Sequence, residues 1–231
     1  MKNLIVTCTQ KNKHFFQDTD INKSYNDCNL NKDFELEVFY QNKDGLSKQY
    51  NTILNDSKYS EYEWIVFAHD DVYIDDARLL QKLNEAKKLE YDIVGLAGGL
   101  NPRIGGINLW HLMTDRKDHR GFVAHPVNEK QMMVTNFGPS PARVAIIDGL
   151  FFAVYQPKAK EAGFNFNENY TFHHYDISSS IDANKKKLKI GVYPINVVHR
   201  SPGLLSVENP TWKTSNETFI KEYSVNSKET K

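Results

Sequence analysis

Two cysteines, Cys8 and Cys28, are all that 231 residues contain, too few for a disulfide framework. An excess of one charge is also missing. Lys and Arg number 29 and Asp and Glu number 29, whereas a nucleic-acid binder usually shows a basic excess or stripe. The one dense basic run, Lys185-Lys186-Lys187 with Lys189, falls at an expected helix end, where cations complement the helix dipole. No apolar stretch approaches the roughly 18 residues of a membrane span, and no long apolar h-region opens the chain. The expectation is a cytoplasmic protein with no integral membrane segment and no nucleic-acid partner, peripheral attachment at the inner membrane face remaining open. No internal repeat or low-complexity block is visible.

What is present is a 40% hydrophobic composition, ordinary for one globular domain with a sizeable core. Asn3–Thr7 reads as a first strand, and residues 10–34 read as polar and irregular with a short helix near His14–Asp18. Glu35–Tyr40 alternates apolar residues as a strand does. After the turn signal Asp44-Gly45, residues Leu46, Tyr50, Ile53 and Leu54 recur at helical spacing. Ile65–Ala68 and Asp92–Ala97 are continuous apolar runs of the kind a buried strand shows. Between them a helix carries Leu79, Leu80, Leu83 and Ala86, with Asp75-Asp76 as its expected cap. This βαβα rhythm predicts an α/β fold with a mostly parallel sheet flanked by helices. Residues 100–140 show no period, and a loop region that long is usually functional or mobile. Strands return at Val144–Ile147 and Leu150–Tyr155, a helix at Pro157, another at Asp176–Lys187, and strands at Lys189–Tyr193 and Ile195–His199. The last dozen residues read as a polar surface helix or frayed tail.

Chemistry concentrates where apolar runs stop. Trp64-Ile-Val-Phe-Ala-His-Asp-Asp-Val72 delivers His69, Asp70 and Asp71 to a strand end, and in open α/β sheets ligands bind beyond the carboxyl ends of strands. These groups suit a divalent cation and a phosphorylated substrate; a turn cap for Asp70 and Asp71 is an equal alternative. Ile195-Asn-Val-Val198 likewise delivers His199, either a structural histidine or a ligand for Mn²⁺-like metals, and then Arg200, which binds phosphate bidentately or, more commonly, pairs with a surface acid. Phe172-His-His-Tyr-Asp176 opens a helix, so Asp176 is either an N-cap or a general base, with His173 and His174 nearby. In Ile147-Asp-Gly-Leu-Phe-Phe-Ala-Val154, Gly149 marks a bend or close approach, and Asp148 can bond a sugar or a turn. Trp110, in a loop, can stack on a sugar ring or pack in the core.

Taken in order over residues 3–205, these pieces resemble a family 2-like glycosyltransferase with the GT-A fold. The resemblance rests on the strand ending Thr7-Cys8-Thr9, the stretch from Asn42 through Gly45-Leu46-Ser47 to Asn51, and His69-Asp70-Asp71-Val72. It continues through Ile147-Asp-Gly149, Tyr175-Asp176, and Lys189-Ile-Gly-Val192 to Val198-His199-Arg-Ser201. It implies a GT-A-like single domain over 1–215, with a nucleotide-binding half at about 1–100, an acceptor-side half at about 101–215 and a polar helix or tail at 216–231. It further implies inverting transfer of a sugar from a nucleotide-diphosphate donor, most simply UDP-linked, to a hydroxyl of a saccharide or glycoconjugate, with Mn²⁺ or Mg²⁺. Donor contacts would come from Thr7, Thr9, Asn42, Asn51, Asp70, Asp71 and Arg200. Metal contacts would come from Asp71, His199 and His69, acceptor contacts from Trp110, Asp148, Gly149 and His174, and the base would be Asp176. Two departures stand out: His69 replaces the first acid of an Asp-x-Asp pattern, and Tyr175 replaces the acid that usually precedes the base. These departures favour a rival, a non-catalytic nucleotide-sugar-binding module. A nucleotidyltransferase fits poorly, because Thr7-Cys-Thr-Gln-Lys-Asn-Lys13 has no glycine to cradle phosphate.

Overall fold

The structure is a computed structural model that describes residues 2–128, 131–200 and 207–225. Ser201, Gly203 and the tail from 226 onward lie outside the described residues. Thirteen strands are described: β1 (Lys2–Cys8), β2 (Glu35–Phe39), β3 (Tyr62–Ala68), β4 (Val72–Ile74), β5 (Ile93–Gly95), β6 (Ala97–Gly99), β7 (His119–Asn128), β8 (Gln131–Gly138), β9 (Ala142–Arg143), β10 (Ile146–Ile147), β11 (Phe151–Tyr155), β12 (Ile190–Val192) and β13 (Val197–His199). The α-helices are α1 (Lys13–Phe16), α2 (Asp20–Asp27), α3 (Leu46–Asn55), α4 (Leu79–Lys88), α5 (Trp110–Met113), α6 (Gln156–Glu161), α7 (Tyr175–Lys185) and α8 (Pro210–Val225).

The larger sheet has seven strands in the order β2-β1-β3-β11-β5-β12-β9. Its pairs β1–β2, β1–β3 and β5–β12 are parallel. The apolar runs foreseen as buried strands form its centre, and Ile65 through Ala68 and Phe151 through Val154 have no exposed surface. β11 is the exception to the parallel pattern. It runs antiparallel between β3 and β5, so the two expected halves of the chain share one sheet. Helices α3, α6 and α7 pack against β1, β3 and β12 respectively.

A smaller sheet, ordered β10-β6-β7-β13-β4 with β8 on β7, gathers the segments that close the site. The stretch read as one strand from Asp92 divides at Leu96, β5 staying in the large sheet and β6 entering the small one. Most of the region without period becomes α5 and the β7–β8 hairpin. One further expectation is corrected. Asp76 does not cap α4 at its N-cap position, which is Arg78; its carboxylate accepts from the Arg78 N–H and pairs with Lys82 Nζ at 2.5 Å. Where a helix or tail is expected from residue 216, α8 runs over Pro210–Val225 and buries Trp212, Phe219 and Tyr223.

Candidate active site

β3 stops at Ala68, and the His69 N–H extends its pairing with the β11 side by donating to the Leu150 carbonyl (3.1 Å). The three groups after the strand end separate into different tasks. Asp70 accepts from the Thr9 hydroxyl through Oδ2 (2.6 Å), which ties the ends of β1 and β3 together. Asp71 faces His199, whose strand β13 pairs antiparallel with β4, setting His199 opposite Val72. His69, Asp71 and His199 each offer a ligand atom within 4.8 Å of the others.

Electrostatics bind Asp71 and His199 to each other. Burial works against the Asp71 carboxylate, but His199 outweighs it and holds the carboxyl below its usual range. Burial also disfavours a charged His199, and the Asp71 carboxylate outweighs that and raises the imidazole. The contact, 3.5 Å from Nε2 to Oδ1, lacks the alignment of a hydrogen bond, and Asp71 Oδ1 is a buried atom without a hydrogen-bond partner among the described residues. Arg200 donates its backbone N–H to the Asp71 carbonyl (3.0 Å), while its guanidinium pairs with Asp20 of α2 at 2.7 Å. A phosphate at Arg200 would share that side chain with Asp20.

An open cleft of about 1030 Å³ lies over the ends of β1 and β2, with Thr9, Asn42 and Asp70 in its lining beside Lys11 and Lys43. Asn42 shapes the loop, since its side-chain amide donates to the Gly45 carbonyl (3.1 Å). Gly45 needs its freedom: φ is +86°, and an added Cβ would lie 2.7 Å from the Thr171 Cβ. Four expected donor contacts fall outside this cleft's lining: Asp71 and Arg200, described above, and Thr7 and Asn51. Thr7 is fully buried beneath it. Asn51 donates to the Phe166 carbonyl and Glu168 and accepts from the Phe166 N–H, because α3 turns that amide toward the 164–168 loop.

A second, smaller cavity of about 180 Å³ is lined by His69, Trp110, Asp148, His174, Asp176 and Trp212, among others. Phe172 borders both cavities. Asp176 lies in the first turn of α7 and accepts the Gly149 N–H at Oδ2 (3.0 Å). The N-cap is His174, not Asp176. Burial first, then the Asp148 charge, raise the Asp176 carboxyl to about 7, against the pull of backbone N–H donors. Asp148 is held by the Trp110 indole N–H (2.9 Å) and the Leu150 N–H (3.3 Å). Trp110 is therefore mostly buried at the start of α5, and it orients a carboxylate rather than offering an open face. Gly149 is a close-approach position, but the approach is by α7: an added Cβ would fall 2.6 Å from the Tyr175 hydroxyl.

His174 has its Nδ1 2.8 Å from the Ser215 hydroxyl. Ser215 donates its own proton to the His173 carbonyl (3.0 Å), so Nδ1 of His174 carries hydrogen and Nε2 is left as an acceptor. Burial, with His173 beside it, lowers this imidazole to about 4. Nε2 has no hydrogen-bond partner among the described residues. The sequence reading missed Trp212, Lys11, Lys43 and Asp20. Only Trp212 carried a signal, the spacing of Trp212, Phe219 and Tyr223.

A family model described as a glycosyltransferase-like family matches residues 4–230. No curated protein matches the chain. Among solved structures, the crystal structure of S. aureus TarS aligns over 87% of this chain and 37% of its own, with a TM-score of 0.50 and 13% identity. A197 from STIV aligns over 84% of this chain and 82% of its own, with a TM-score of 0.49 and 14% identity. At 13% identity the likeness to TarS concerns the fold, and this chain spans about 37% of the TarS chain.

Proposed function

Because this chain belongs to the glycosyltransferase-like family, we propose that it moves a sugar from a UDP-linked donor to a hydroxyl of a saccharide or glycoconjugate, with inversion and with Mn²⁺ or Mg²⁺. The fold is GT-A-like and the protein is a glycosyltransferase; the donor, stereochemistry, metal and pathway are our reading. No helix among the described residues is long and apolar enough to cross a membrane. The Asn- and Lys-rich composition would suit an AT-rich bacterial genome, and a surface polysaccharide or glycoconjugate pathway is the setting proposed for it.

One observation carries the reading. A buried carboxylate, Asp176, lines a small cavity together with His69 of the His69, Asp71 and His199 cluster, and Phe172 stands between that cavity and the nucleotide-sized cleft. Asp176, raised to about 7, is matched to take a proton from an acceptor hydroxyl near neutral pH. The Gly149 N–H aims its Oδ2, and Asp148, fixed by Trp110, keeps it basic. His174 Nε2 offers a further acceptor for a sugar hydroxyl. On the donor side Thr9 and Asp70 form the floor of the cleft, and Lys11 and Lys43 bring positive charge to its wall.

The residues fit a metal. Asp71 Oδ1 is buried without a hydrogen-bond partner among the described residues, and two imidazoles with one carboxylate favour Mn²⁺ over the all-oxygen preference of Mg²⁺. His69, Asp71 and His199 would hold it. When bound, such a cation would offset the negative charge developing on the departing diphosphate.

Asp176→Asn tests the base: it should bind donor as the parent protein does and transfer no sugar. Full transfer by that variant would remove Asp176 from the role. A non-catalytic module remains the second reading, favoured by His69 and Tyr175 at positions where acids are usual. Slow hydrolysis of the donor to free sugar by the purified protein separates the two, since a module without turnover releases none.

A further inference from the structure

The two departures from the expected acidic pattern touch each other. His69 Nε2 lies 3.0 Å from the Tyr175 hydroxyl across 106 residues of sequence. The Tyr175 oxygen is also 2.5 Å from the Gly149 carbonyl oxygen. Two oxygens at that separation share a proton, and a carbonyl has none to give. The single phenolic proton is therefore committed to Gly149. Toward His69, Tyr175 can only accept. Nε2 of His69 must then carry hydrogen, and Nδ1 is the one ring atom able to offer a lone pair.

We infer that Tyr175 is a positioning residue that locks His69 in its Nε2–H tautomer, so that His69 meets a cation shared with Asp71 and His199 through Nδ1. The same hydrogen-bonded line continues through the Gly149 backbone. Its carbonyl accepts from Tyr175, and its N–H donates to Asp176. His69 and Asp176 are thus set by the two successive peptide groups that flank the Gly149 Cα. Outer partners of this kind fix the tautomer and orientation of metal-binding histidines, and losing one typically weakens metal affinity about 10–100-fold. The metal half of the inference rests on the proposed cation site; the tautomer does not.

The first test uses metal-free wild-type protein labelled with ¹⁵N-histidine, and a long-range ¹H–¹⁵N correlation spectrum that distinguishes pyridine-type from pyrrole-type ring nitrogens. His69 is assigned by the signal lost in His69→Gln. The expected result is pyridine-type Nδ1 and pyrrole-type Nε2, and the reverse would overturn the inference. In Tyr175→Phe, His69 should populate both tautomers, a change that loosened packing alone would not produce. Mn²⁺ affinity of that variant, read from the EPR signal of free Mn²⁺ at a temperature where both proteins are folded, should fall about 10-fold or more. Unchanged or tighter binding would overturn the metal half, because it would make Nε2 the ligand atom and Tyr175 its competitor. Wild-type protein that binds no Mn²⁺ while showing the expected tautomer would sink the cation site and leave the Tyr175–His69 lock standing.

Discussion

Asp176 sets a pH dependence with opposite signs for activity and stability. Its carboxyl is raised to about 7 by burial and by Asp148, so the ionised carboxylate, the base proposed above, accumulates only as pH passes about 7. Transfer should rise through that value and level off above it; a rate constant from pH 5 to pH 9 would mean another group takes the proton. The unfolded chain ionises the same carboxyl near 3.9. The folded state thus holds its proton more tightly, and that stability is full below about pH 4 and lost as pH rises through about 7. Asp176→Asn should accordingly raise the melting temperature by several °C at pH 8 and hardly at all at pH 4, while transfer at pH 8 disappears. Gly149→Ala should cost about 1–3 kcal/mol by overpacking and lower transfer with it, because the new methyl meets the Tyr175 hydroxyl and the Asp176 Cβ together. Unchanged melting and unchanged rate would show that the loop shifts freely.

α8 packs into the core beside the small cavity. Phe219 is fully buried, and Phe219→Ala should cost about 3–5 kcal/mol in denaturant unfolding. Trp212 lines the small cavity, so Trp212→Ala should raise the acceptor KM and leave nucleotide binding as it was; a change confined to the nucleotide would place the acceptor elsewhere. How legible each element was follows from its surroundings. β1, β3 and β11 are buried on both faces and appear in the sequence as unbroken apolar runs. β7 and β8 were illegible because Gly121, Pro126 and an exposed, mixed face break any alternation. α2 was hidden by a polar surface over Ile21 and Ser24, its only buried residues. α8 was hidden similarly, its three buried aromatics spread through Asn, Thr, Lys and Glu. Of the site, Asp71, Asp176 and His199 were legible because each ends or opens a regular element. The Tyr175–His69 and Trp110–Asp148 contacts were not, since they join residues far apart in sequence through tertiary packing.

For the whole molecule the clearest expectation is a coupled response to nucleotide and metal. UDP at about 100 times its dissociation constant, with Mn²⁺, adds roughly 2.7 kcal/mol, which is about 5–10 °C at this size. Chelation with EDTA, or Asp71→Ala, should abolish most of that shift. A full shift without metal would keep the donor and remove the cation. The α/β class was readable from the βαβα rhythm, but the position of β11 was not, because an apolar run does not state its direction or its neighbours. That position has a consequence during synthesis. β3 leaves the ribosome roughly eighty residues before the strand that covers its second edge. At ordinary elongation rates the nascent chain carries that bare apolar edge for about 4–16 s. The interval falls before either cavity exists, and it makes the half-made chain, rather than the finished protein, the form most in need of a chaperone.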